Sequence, residues 1–395
     1  MNIGFFENAF KGKNTWWRYL VVMIVVFLGY SIGQIPLMLA LFRSVHEEGS
    51  GLTDEDIVNF QSNPDFSIFG INSNMGFTLL LVMFIGALTA FFFIFKPMHD
   101  REFRSLITSS SRINWNKIIF AFCVWLGLSL VIESVSYFMD PGNYSFHFQL
   151  NTFIPLVIIS LLILPIQTSM EELVFRGYLM QGIGVYKVYQ VIAALIGIVF
   201  SIGIYVLISN PLKDLFPEAL GFVGTFIAFL IAAGLLYIIT RFVSGLIRPK
   251  SGDPIELLNR HSRLLALIIT SVLFGGIHAM NPEIQEFGFG IMQTYYISAG
   301  LLLGIVTIMD DGLELALGVH AATNFAGAVF VGYNGAAIQT DSLFTAQEIN
   351  PMYMTIGFVL VSIIFLIIMK YKYQWGSFKK LAEPITAPDD NSIIA

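Results

Sequence analysis

The chain has 395 residues, 56% of them apolar and only 12% charged, with a mean hydropathy of +0.74. An ordinary soluble chain is about 25% charged, so this composition excludes a soluble globular protein and points to a bilayer, where each crossing takes about 20 mostly apolar residues. The net charge of -6 decides little, but the single cysteine, Cys123, excludes an intrachain disulfide framework and any thiolate metal cluster.

About ten apolar segments follow in chain order, near 19–42, 76–96, 117–138, 153–186, 188–208, 219–240, 262–280, 290–309, 312–333 and 352–371. The first is too long for the core of a signal peptide, and no small-residue cleavage pattern follows it, so it reads as a retained helix. Trp16 and Trp17 at its start suit an interfacial belt. Together the segments predict an all-α, polytopic transmembrane helix bundle of about ten helices, with the bilayer as its first partner. Residues 1–150 form the N-terminal helices, 336–380 the last crossing, and the Pro- and Asp-bearing tail 381–395 reads as disordered.

Ten crossings leave both termini on one side. On that side fall nineteen of the 21 Lys and Arg residues: those before Trp16 and at Arg18, those of 96–117, Arg176 and Lys187, those of 241–263, and those of 370–380. Only Arg43 and Lys213 fall on the other. The positive-inside rule therefore places both termini in the cytoplasm. The opposite face carries an acidic external loop, 44–75, with Glu47, Glu48, Asp54, Glu55, Asp56 and Asp65, read as solvated. No Gly-rich phosphate loop and no basic-aromatic patch occurs, which leaves no nucleic-acid partner.

An ionisable side chain at the bilayer centre costs at least about 2.5–3.5 kcal/mol, so polar residues inside the crossings are functional candidates. Three clusters qualify. In the first, Glu171-Glu172-Leu-Val-Phe-Arg176, Glu172 and Arg176 share a helix face and can pair. Glu171 is turned about 100° away, which leaves one carboxylate spare as a candidate general base. The second is Phe274-Gly-Gly-Ile-His278, with Phe274 and His278 on one face and two glycines that admit a neighbouring helix. The third is His320-Ala-Ala-Thr-Asn324, whose two polar side chains again share a face. At 1.5 Å rise per residue, Glu171 and His278 lie roughly 23 Å from their basic anchors Lys187 and Arg263, and His320 and Asn324 about 14–20 Å past Asp311. All four can meet at one level.

The set E-E-x-x-x-R, F-x-x-x-H, H-x-x-x-N, in this order, resembles the CPBP family of intramembrane proteases. These are type II CAAX prenyl endopeptidases and their bacteriocin-processing and abortive-infection-like relatives. The resemblance covers about 151–335, which it marks as a catalytic core. It implies a peptide hydrolase in a prokaryotic plasma membrane, acting on a membrane-associated peptide or a lipidated protein from a site open to the cytoplasm. It further implies that Glu171 and His278 activate a water, that His320 and Asn324 stabilise the oxyanion, and that Glu172, Arg176 and Phe274 support them. No metal or other cofactor is favoured; a divalent ion such as zinc would have Glu171, His278 and His320 as ligands. The chain departs from the family in one respect: Glu171 and His278 are 107 residues apart, with an inserted helical hairpin at about 188–260.

Two other classes would also bury such residues. A transporter would line a path with them, and a non-proteolytic scaffold or immunity protein would use them as interhelical glue.

Overall fold

The structure is a computed structural model that describes residues 4–60, 64–216, 221–250 and 259–387. It is helical almost throughout, and nine helices among the described residues are long and apolar enough to cross a membrane. The chain is an integral, multi-pass membrane protein.

Two compact units divide the chain. The larger holds the described residues of Met1–Gly182 and Ala266–Leu381, and with them every candidate residue. It begins with α1 (Trp16–Val45), the short α2 (Asp54–Phe60), α3 (Ser73–His99) and α4 (Trp115–Met139). At about 1.5 Å per residue each of the three long helices spans the roughly 30 Å hydrocarbon layer. α1 and α3 touch through small residues: a Cβ on Gly29 or Gly86 would collide with the backbone of the facing helix. In lipid, where apolar contact alone gives no drive to associate, such close backbone approach is what holds two helices together.

Next comes an almost unbroken helical stretch, α5 (Leu150–Leu162), α6 (Leu164–Glu172), a π-turn over Leu173–Leu179 and α7 (Met180–Val185). The smaller unit follows, with Ile183–Leu265 and Ala382–Thr386. Its hairpin, α8 (Val188–Asp214) and α9 (Gly221–Leu246), is antiparallel, with Gly197 against Leu236 and Thr240. Glu383 pairs with Arg263 at 2.9 Å, and the Ile385 amide donates to Ser262 Oγ at 2.7 Å, so the tail expected to be disordered is held at these residues. Residues 388–395 of that tail lie outside the described residues.

α10 (Ser262–Ile277), α11 (Pro282–Phe287), α12 (Phe289–Asp310), α13 (Glu314–Phe325) and α14 (Pro351–Lys372) complete the chain. α13 corrects the expected crossing at 312–333. It has only 12 residues, runs into a π-turn over Ala326–Phe330, and is buried from Glu314 to Ala322. Its apolar residues meet protein rather than lipid. Gly318 has no room for a side chain against the backbone of Ile118, which brings α13 directly onto α4.

A small sheet joins β1 (Tyr144–Phe146), β3 (Phe344–Ala346) and β2 (Val331–Tyr333), in that spatial order. β1 runs antiparallel and β2 parallel to β3. The 44–75 stretch, expected as a solvated loop, is instead a packed cap. Phe60, Phe66 and Phe69 form a buried cluster with Leu37, Leu41 and Met83, and Asp65 caps the turn at Ser67 with a 2.8 Å bond.

Candidate active site

Glu171 and Glu172 are adjacent in sequence, and their surroundings differ sharply. Glu172 is fully buried, and its Oε1 accepts from Arg176 at 2.7 Å and from His320 Nδ1 at 2.8 Å. Arg176, equally buried, also donates to the Gly300 carbonyl at 3.2 Å and lies over the Phe274 ring at 4.3 Å. A charge taken this far from water needs a partner with good geometry, and the pair supplies one. Arg176 is therefore an internal counter-ion rather than a flanking charge, which leaves eighteen of the 21 basic residues in the orientation argument.

Glu171 has no such partner. Its Oε1 accepts from Gln167 Nε2, while Oε2 is buried and meets no hydrogen-bond donor. Instead Oε2 faces two imidazole nitrogens, His320 Nε2 at 3.8 Å and His278 Nε2 at 4.0 Å. Both rings are set by their other nitrogen. His278 Nδ1 donates to the Phe274 carbonyl at 2.7 Å, and His320 Nδ1 donates to Glu172. In the neutral ring each Nε2 is then an acceptor. Three lone pairs thus converge on one spot, with no proton of the chain between them.

Asn324 reaches the same place indirectly. Its Nδ2 donates to Gln167 Oε1 at 2.9 Å, so Gln167 bridges Asn324 and Glu171. The structure therefore gathers Glu171, His278, His320 and Asn324, with Glu172, Arg176 and Phe274 behind them. Two further residues were missed by the sequence reading. Gln167 sits one turn before Glu171, and that spacing was a usable signal. Tyr296 stacks on His278 with ring centroids 4.3 Å apart, and nothing marked it among the chain's aromatics.

The donor set does not fit a metal as it stands. Ligands sharing a tetrahedral zinc at about 2.0–2.1 Å lie about 3.4 Å apart, closer than the 3.8 and 4.0 Å seen here. Among the described residues no group of three His, Cys, Asp or Glu side chains is arranged to hold an ion.

The cluster forms the floor of a cavity of about 1690 Å³. Its walls come from α1 beyond Met23, α4 beyond Trp125, and the starts of α3 and α14, and it reaches Asp140, Glu283 and Glu348. These are the helix ends away from the Lys- and Arg-rich ends. With the basic ends cytoplasmic, the expected access from the cytoplasm is replaced by access from the opposite side. The reason is local: the basic end is filled by protein segments, whereas the other end is hollow.

Comparison with known proteins bears out the family resemblance over part of the chain. Residues 254–326 match the family model described as type II CAAX prenyl endopeptidase Rce1-like. The match holds the second and third motifs and begins after the hairpin that separates them from the first. Over 91% of its length the chain is also 26% identical to a protein of Bacillus subtilis (strain 168), YyaK, described as uncharacterized, and the likeness covers 93% of that protein. No solved structure matches.

Proposed function

We propose that the chain is an endopeptidase that hydrolyses a peptide bond of a membrane-associated peptide or lipidated protein, using a water activated by Glu171 and no metal. The observation that carries this is the partnerless Glu171 Oε2 facing two histidine nitrogens at the floor of a cavity. Two hydrogen bonds of about 2.8 Å span a 4.0 Å gap at close to a right angle, so one water fits between Glu171 Oε2 and His278 Nε2. Each of its protons then has an acceptor, and its lone pair is left for a carbonyl carbon.

In the step itself the water oxygen bonds to the carbonyl carbon, and Glu171 takes the water's proton. The carbonyl oxygen becomes an oxyanion. Asn324 keeps one amide proton beyond that given to Gln167, and can donate it there. His320 donates through Nε2 when its ring carries both protons. Glu172 supports that state from the far side, and Arg176 balances Glu172. One preorganised donor of this kind is worth about 2.7–4 kcal/mol in other hydrolases. On collapse the C–N bond breaks, and the proton held by Glu171 passes to the leaving amine. The products are a carboxylic acid and an amine.

The test uses purified protein reconstituted in liposomes, given lipidated C-terminal peptides and short transmembrane peptides. Wild type should cleave at least one class, and folded Glu171→Gln none. Cleavage retained by Glu171→Gln, or a wild type silent across both classes, would reject the proposal.

A further inference from the structure

The ionisable side chains that line the cavity are all of one kind. Besides His278 and His320 they are Glu133, Asp140, Glu171, Glu283 and Glu348, and among the described residues no Lys or Arg lines it. Arg176 is near, but it faces Glu172 and is not part of the wall. A wall of one sign, bounded by low-dielectric helices, focuses its field into the space it encloses.

Glu283 is the most telling of these residues. It stands five positions after His278, at the start of α11, and is only 5% exposed. Its Oε1 accepts the Ala337 amide at 2.7 Å, while Oε2 is buried and has no donor within hydrogen-bond distance. Tyr296 lies alongside, its hydroxyl engaged by Asn281 Nδ2 at 3.1 Å. Burial pushes the Glu283 carboxyl above the ordinary glutamate range. A buried acceptor left without a donor costs about 1–3 kcal/mol, which a cation entering the cavity would relieve. Glu133 lies across the cavity on α4 and shares only a long, 3.5 Å contact with Tyr144 Oη.

We infer that the cavity receives the cationic part of a peptide, a Lys or Arg side chain, seated on Glu283 with Glu133 as second acidic contact. The inference rests on the protease reading, because it names the substrate class of that same site. It also sets a limit. A segment ending in a free carboxylate beside the scissile bond finds no cation in this wall to receive it, whereas an apolar segment with an internal basic residue finds both apolar walls and a counter-charge.

The experiment measures binding and cleavage separately, on full-length protein in nanodiscs. The probes are three fluorescent apolar peptides, identical except for one central Lys, norleucine or Glu. Lys should bind about tenfold tighter than norleucine, as one charge-assisted bond allows, and Glu should bind weakest. Glu283→Gln keeps the acceptor for the Ala337 amide and should fold. It should bring Lys down to the norleucine level, and Glu133→Gln should do so in part. Equal binding of all three peptides, tighter binding of Glu, or a Lys preference unchanged in Glu283→Gln would overturn the inference. A Lys preference without cleavage of any peptide would support it while removing the protease reading. Cleavage without a preference would do the reverse.

Discussion

At the basic end of the bundle every carboxylate has a donor. Asp310 is held by Lys117 at 2.8 Å and by Trp375 Nε1 at 3.3 Å, Asp311 by the Phe5 amide at 3.0 Å, and Glu314 by the Asn114 amide at 3.3 Å. At the other end Glu171 and Glu283 each keep one buried oxygen with no donor. The first arrangement closes the bundle with chain segments laid across it, including the Leu313 amide bonded to the Ile107 carbonyl at 2.7 Å. The second leaves a hollow whose unmet acceptors ask for something from outside. Partnered acids here mark architecture, and unpartnered ones mark the place where a substrate completes the site.

Several changes would break or sharpen this contrast. The largest effect is expected from Glu171→Gln, which should lower the cleavage rate by about 10²–10⁴, the usual worth of a general base, while thermal unfolding in detergent stays near wild type. Glu172→Leu leaves Arg176 buried without its counter-ion, so it should cost about 3–5 kcal/mol of stability. Its melting temperature should fall well below that of Glu171→Gln, and equal melting of the two would refute the division of roles between these neighbours. Asn324→Ala should slow turnover by about 10²–10³ with little change in peptide affinity; a loss confined to affinity would place it among binding groups instead. At the closed end, Lys117→Met strips Asp310 of its ion pair and should cost about 1–3 kcal/mol, with cleavage per folded molecule unchanged. The smallest effect is expected from chelation. Dialysis against EDTA should leave the rate as it was, and a loss restored by zinc would show that an ion draws the three donors together.

Much of this was legible in the residues. The rise per residue put Glu171, His278, His320 and Asn324 at one depth, and their side chains do meet. The i, i+4 spacing paired Glu172 with Arg176 and left Glu171 over. Hydropathy could not tell a lipid-facing helix from one wrapped in protein, so α13 passed for a full crossing. Depth counting also fixes a level but not the side on which the interior is empty, and the direction of access was lost for that reason. Glu283 lies in a short polar stretch after Pro282 that looks like any loop. Only the fold shows that it is buried and faces the same cavity as Glu171.

The π-turn over Leu173–Leu179 follows directly on the two glutamates and contains Arg176 and Tyr178. Such a wide turn accommodates one residue more than an α-helical turn of the same height. Tyr178 Oη, within it, bonds His99 Nε2 at 2.8 Å, and Gln181 just beyond accepts from Arg101 at 2.6 Å. Removing a single residue from this stretch would return it to ordinary helix and swing whatever follows by about 100°, parting those bonds without altering any side chain that makes them. Length, as much as identity, is what this part of the chain encodes, and it should accept replacements far more readily than shortening.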